Sequence, residues 1–419
     1  MTGTSSTPAV HRVTNGPKNH FFGFHDTCPW DVSDERLLAM ETDFINRAPA
    51  PGDKARICLI DTKSEELKII AETRAWNFHQ GSRLQWMPGA ADKIVYNDRD
   101  GNGFISVIMD VKTGKKTTFS YPVYAVNPAG DYGLGVNFPR LQRYGSYGYW
   151  SDIKNTDDPF PEDDGIFKVD FGTGEIKLVV SIHDIAHFEN VPKNSEKHCL
   201  THLVFNPSGT RVAFIHKWKM EDGGFSQRFM TMDADGTDIY CLPGNITHFN
   251  WKNDAEMLGY GKFSPRILAL RKRGVFKNPV LAPLLKIARV MRGGLKQRIA
   301  GQSYLLFKDR TQSVKRIGVG VLMEDGHPSI CPQNSDWFVT DTYPDKHHFR
   351  TLTLYNLVTG ELREIGRFYS LPSASCGVSG DWDVSEMRSD LHPRWNHVGD
   401  EICFDSVHEG TKQMYIVGV

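Results

Sequence analysis

Four histidines of this 419-residue chain stand in one register: His202, His248, His327 and His392 each lie three residues ahead of an aromatic or apolar anchor, namely Phe205, Trp251, Ile330 and Trp395. Imidazoles gathered from separate segments can ligate a divalent cation through a ring nitrogen or move protons near neutral pH. In three further segments, anchored by Trp30, Trp86 and Val126, the same column holds Thr27, Arg83 and Val123. A histidine at such a place can also do no more than hydrogen-bond a neighbouring backbone. A structural role tied to the repeat would not skip three segments, so the column argues for chemistry.

Other polar residues gather around the first three anchors. His25 in "FGFHDTCPW" and His79 with Gln80 in "NFHQGSRLQW" precede two of them, and Asp98 and Arg99 follow in "YNDRD". The stretch "NFPRLQRYGSYGYW" puts Arg140, Arg143, Tyr144, Tyr147 and Tyr149 on what reads as one long loop. Rings stack on sugars and guanidinium forks grip carboxylates, so such a loop beside imidazoles suits an acidic carbohydrate. Taken singly, an arginine is more often a surface charge and a tyrosine a packing residue.

The elements that position these residues are repeats. A strand, a Pro/Asp/Gly corner, a second strand and a closing hairpin recur along the chain. The corners include "PWDVSDERLLAM", "FNPSGTRVAFI" and "WNHVGDEICFD", and the hairpins "MDVKTGKKTTF" and "VDFGTGEIKLV". The corners number seven, one at each anchor. Units of about 40–60 residues with four short strands are propeller blades, which bury their faces only against one another. The expected fold is therefore all-β: one seven-bladed β-propeller over residues 1–419, in which equivalent positions converge on the central channel. The last unit is short by a strand, and residues 9–15 supply a spare one that would close the ring. Residues 268–302 break the pattern of the fifth blade with helical periodicity, Leu281, Leu284, Leu285, Ala288 and Met291 on one side and Lys286, Arg289 and Arg292 on another. This basic helical insertion either contacts an anionic membrane surface peripherally or packs on the propeller flank.

Composition sets limits. From Met257 to Lys308 every charged residue is basic, which leaves the rest of the chain acidic and argues against nucleic acid as a partner. No stretch nears the ~18 apolar residues of a transmembrane span. Met1 to Pro17 lacks a signal-peptide core, and the seven scattered cysteines form no C-x-x-C pair. These features predict a cytoplasmic monomer, membrane-associated if the insertion serves that end.

The segments "HFFGFHDTCPWD", "HQGSRLQWMPG", "HLVFNPSGTRVAFIHKW", "EDGHPSICPQNSDWFVTDTYPD" and "SDLHPRWNHVGDEICFD" together resemble the oligogalacturonate-lyase and ulvan-lyase type propellers, over nearly the whole chain. The His-x-x-Phe-Asn-Pro-x-Gly and His-Pro-x-Trp corners are shared with TolB-like propellers. The resemblance implies cleavage of uronate-containing glycans by β-elimination. The C5 proton is weakly acidic, so a cation must face the developing enolate, a base must take the proton and an acid must serve the departing O4. By the same resemblance His79 or Tyr147 transfers protons, and Arg83, Arg99 or Arg140 neutralises the carboxylate. His25, Gln80, Tyr144 and Tyr149, from their places beside the first anchors, are expected to contact sugar. His202, His327 and His392, with His248 from the same column, hold a divalent metal, manganese before zinc or calcium. Arg99 stands where the ulvan branch has a second histidine, and the basic insertion belongs to neither branch. The competing expectation is a non-catalytic glycan-binding or assembly propeller at the inner membrane surface, serving polysaccharide biosynthesis.

Overall fold

The computed structural model describes residues 9–101, 103–145, 147–150, 157–189, 195–220, 225–263, 301–371 and 389–419. It is a seven-bladed β-propeller in which every blade is a four-stranded antiparallel sheet. Blade 1 runs from Asn19 to Thr73, blade 2 from Gln85 to Phe119, blade 3 from Ala125 to Ser181 and blade 4 from Glu196 to Cys241. Blade 5 follows from Asn245 to Ile317 and blade 6 from Ser329 to Tyr369. Blade 7 takes three strands from Arg394 to Gly418 and its outermost one, Val10–Arg12, from the other end of the chain, pairing Val10 with Val417 and Arg12 with Tyr415. That pairing ties the two ends of the described chain together and covers an otherwise open sheet edge.

Local chemistry explains the blade. In the closing hairpins, Asp110 accepts from the amides of Lys112 and Thr113, and Asp170 from those of Gly172 and Thr173. These Asx turns hold the corner before any packing forms. The anchors link blades: the indole N–H of Trp86 donates to Pro29 O, that of Trp251 to Val204 O and that of Trp395 to Ser329 O, each at 2.9–3.0 Å and each reaching back to the preceding blade. Between blades the facing sheets bury their side chains, as Phe21, Trp30, Leu38 and Ile57 do with Ile94 and Tyr96.

Two segments differ from the sequence reading. The stretch taken as a long loop contains a helix, α1, Phe138–Gly145. Asn137 caps it by accepting from the amide of Arg140, Pro139 sits in its first turn, and Phe138, Leu141 and Tyr144 form its buried face. The Gly and Tyr content had masked that spacing. The insertion expected at 268–302 lies outside the described residues except at its end, where Gly301 precedes and Gln302 opens a strand, Gln302–Lys308. Because Lys262 pairs with Gln302, the segment between them connects the second and third strands of blade 5, at the end where that blade's inner strand begins.

Candidate functional site

The histidine column is aimed by unusual backbone. Arg83, His202 and His392, at equivalent positions of blades 2, 4 and 7, have φ of +54°, +56° and +43°. This left-handed conformation costs a non-glycine residue about 1–3 kcal/mol and persists only where the surroundings enforce it. Pairing register also shifts beside the column, between Thr201 and Val204 and between Ile246 and His248. Such irregularities re-aim side chains, here toward the propeller axis.

Phe24 occupies that axis. The imidazoles of His25, His79, His202, His248, His327 and His392 surround its ring, with centroids 4.4–6.3 Å from it. Two glycines permit the approach of the first two blades. A Cβ on Gly81 would lie 2.8 Å from Phe22 O, and one on Gly23 3.0 Å from Gln80 O, so the connections carrying Phe24 and His79 pass in backbone contact. Around the ring, His248 and His327 are 4.1 Å apart, His327 and His392 4.4 Å, and His79 and His392 5.1 Å. Tyr147 closes the gap between His79, at 4.9 Å, and His202, at 5.4 Å.

Hydrogen bonds fix the tautomers. The Nδ1–H of His25 donates to Pro328 O at 3.1 Å, that of His392 to Gly23 O at 2.7 Å and that of His327 to Asp341 Oδ1 at 2.9 Å. In neutral His25 and His392 this leaves Nε2 as a lone pair, and the Nε2 atoms of all three are buried with no hydrogen-bond partner among the described residues. An imidazole held at Nδ1 by a carbonyl or carboxylate, with Nε2 bare, is prepared to ligate a cation. Burial, followed by neighbouring positive charge, holds His25, His202 and His392 well below the ordinary imidazole range, and His248 is lowered for the same first reason. His327 is the exception: burial, the largest cause, lowers it, but the carboxylates of Asp341, Asp390 and Asp325 together more than offset burial and raise it.

Among the described residues, one group fits a metal. Ligand atoms of His79, Asp390 and His392 all lie within 4.8 Å of one another, and Asp390 Oδ2 is 3.9 Å from both His79 Nδ1 and His392 Nε2. Ligands about 2.0–2.2 Å from a shared ion are separated by roughly 3–4.4 Å, so the two separations from Asp390 suit one. Arg350 Nη1, 2.7 Å from Asp390 Oδ1, holds the carboxylate from behind. Two imidazoles and a carboxylate suit manganese or zinc better than calcium, which prefers all-oxygen shells.

The structure thus gathers His25, His79, Tyr147, His202, His248, His327 and His392 into one ring, and it engages Arg83 and Arg140 with protein partners. Arg83 is buried and forked onto Asp26 at 2.9 and 3.1 Å, with its Nε on Tyr124 O. Arg140 is buried and donates to Asp164, His198 O and Asp158 O. Arg99 lies along Phe104 in blade 2. Tyr149 is core: it stacks on Phe138 at 4.2 Å and its hydroxyl accepts from Asn97. Tyr144 packs in the same cluster beside Arg140 and Arg143. Gln80 is buried next to Gly23, and its amide N–H donates to Asn77.

Sequence reasoning missed Phe24, Asn77, Lys217, Asp325, Asp341, Tyr343, Arg350 and Asp390. A signal existed for two of them, since Asp325 and Asp390 each stand two residues before a column histidine, and alternate residues of an extended segment share a face. Asp325 in fact pairs across to His248, at 3.1 Å, and Tyr343 lies 5.9 Å from His327.

No protein-family model matches the sequence, and a search of curated proteins gave no significant match. Solved structures do match. An oligogalacturonate lyase in complex with manganese superposes with a TM-score of 0.65 at 14% identity, covering 99% of this chain and 94% of that one. An oligogalacturonate lyase from Vibrio parahaemolyticus gives 0.63 at 13% identity, covering 99% and 95%. The chain is therefore a seven-bladed propeller with the fold of the oligogalacturonate lyases, end to end.

Proposed function

We propose that this protein is a carbohydrate lyase that cleaves short uronate-containing oligosaccharides by β-elimination, with a divalent metal, manganese first, held by His79, Asp390 and His392. The observation that carries the reading is Asp390 Oδ2, equidistant at 3.9 Å from His79 Nδ1 and His392 Nε2 inside a ring of imidazoles on the propeller axis. The manganese-bound lyase of the same fold is consistent with it. When bound, the cation supplies positive charge against the uronate carboxylate as the C5 proton leaves.

The chain's own residues do the rest. Arg350 and the Gly23 carbonyl orient Asp390 and His392. His202, kept neutral by burial, is able to accept the C5 proton, and Tyr147 beside it is able to donate one to the departing O4. Phe24, buried at the centre, keeps the space between the imidazoles dry, which strengthens each charge interaction there.

The test is absorbance at the unsaturated-uronate band when the purified protein meets pectic, ulvan, glucuronan and alginate oligosaccharides, with and without manganese. A rise with at least one of them, lost on chelation, is expected. If none rises, the lyase reading is wrong and glycan binding without cleavage takes its place.

A further inference from the structure

Among side-chain cations, the one best able to grip a sugar carboxylate is one whose charge is not already neutralised by a protein carboxylate. Around the ring, Arg83 is forked onto Asp26, Arg350 sits on Asp390, and Arg394 is divided among Asp405, Gly23 O and Phe24 O. Lys217 differs. It lies on the blade 4 strand Arg211–Lys219, half-buried, and makes no ion pair among the described residues. Its ammonium stands 4.6 Å from the centroid of the Tyr147 ring, and it faces His202 closely enough to help keep that imidazole neutral. A half-buried ammonium against an aromatic face and an uncharged imidazole has lost part of its hydration, and among the described residues a cation–π contact is what it gains in return.

We infer that Lys217 is the specificity residue of this site: it reads the negative charge of a sugar carboxylate beside Tyr147, so that the ligand is a free-acid uronate oligosaccharide and its neutral ester is rejected. The inference rests on the proposed glycan site, but not on catalysis. Lys217 is a point charge with three donors on a flexible stem, which suits a carboxylate presented at varying angles. An ester offers it no charge, and the lysine would then be partly desolvated without compensation.

The experiment is titration calorimetry of the manganese-loaded full chain with trigalacturonate, triglucuronate and trimannuronate, each against its methyl ester. Wild type is expected to bind at least one free acid about tenfold or more tighter than the ester, the size of one charge-assisted contact. Lys217→Met should reduce the preference about tenfold, to what the bound cation alone supplies, and Lys217→Arg should restore it. If Lys217→Met keeps the full preference, or wild type has none, the inference is overturned. A wild type that binds the acid selectively and loses selectivity in Lys217→Met, yet shows no turnover, refutes the lyase reading and leaves Lys217 as the charge reader.

Discussion

The side-chain amide of Asn77 donates to the main-chain carbonyl of Tyr147 at 3.1 Å, and the same side chain's oxygen accepts from the amide of His79 at 2.9 Å. One buried residue therefore sets the spacing of two ring members from different blades. Asn77→Ala removes these bonds together with those to Gly148 O and the Gln80 amide. Orphaning buried main-chain groups costs about 1–3 kcal/mol, so a loss of that order is expected in urea unfolding. An unchanged urea midpoint would show that Asn77 supports neither segment.

The metal group gives a separate prediction. His79→Ala, Asp390→Asn and His392→Ala should each lose stoichiometric manganese, measured by elemental analysis after dialysis, whereas His248→Ala should retain it. Arg350→Met, which leaves the donors in place but frees the carboxylate they share, should weaken affinity about 10–100-fold, as loss of an outer partner does. Retention of metal by the Asp390 variant would move the site to other members of the ring.

The propeller was readable because its determinants are local and repeated. The Asp–Gly hairpins fold on their own side chains, and the tryptophan anchors recur because each indole must reach the preceding blade. The histidine column followed from that register, since equivalent positions meet on the axis. What pairs with what was not readable. Asp26 and Asp164 occupy the guanidinium groups of Arg83 and Arg140, and neither partnership leaves a trace in local spacing. Asp390 joins His79 from the far end of the chain, so only the closed ring brings them together.

The anchor column also yields a stability contrast. Trp251 donates its indole N–H to Val204 O, while the indole nitrogen of the equivalent Trp30 is buried with no partner among the described residues. Replacing either by Phe trims the same atoms from a fully packed place. Trp251→Phe also breaks a bond, whereas Trp30→Phe removes an unsatisfied donor, so it should be the milder change by about 1–3 kcal/mol in chemical denaturation. Equal losses would mean that packing alone decides the column.

Acid should destabilise the fold through a pair outside the metal group. Arg228 Nε donates to His216 Nδ1 at 3.1 Å, which leaves His216 Nε2–H to donate to His198 Nδ1 at 2.8 Å and His198 Nε2–H to Ser195 Oγ at 3.0 Å. Because arginine only donates, the direction of this chain is fixed, and a second proton on either ring would break a bond. Burial, the first cause, lowers His198 to about 4, and burial with the Arg228 charge holds His216 well below the ordinary range. The groups facing them are Arg228, Arg140 and His187, none of which favours a further positive charge. Below about pH 6.5 the unfolded chain binds these protons and the folded one does not, so stability rises with pH there and is lost on acidification toward pH 4. Each such histidine contributes a slope of up to about 1.4 kcal/mol per pH unit. Unfolding midpoints measured from pH 7.5 to 5 should therefore fall, and less steeply in a His198→Gln, His216→Gln double variant. A slope that the double variant leaves unchanged would assign the acid sensitivity to other groups.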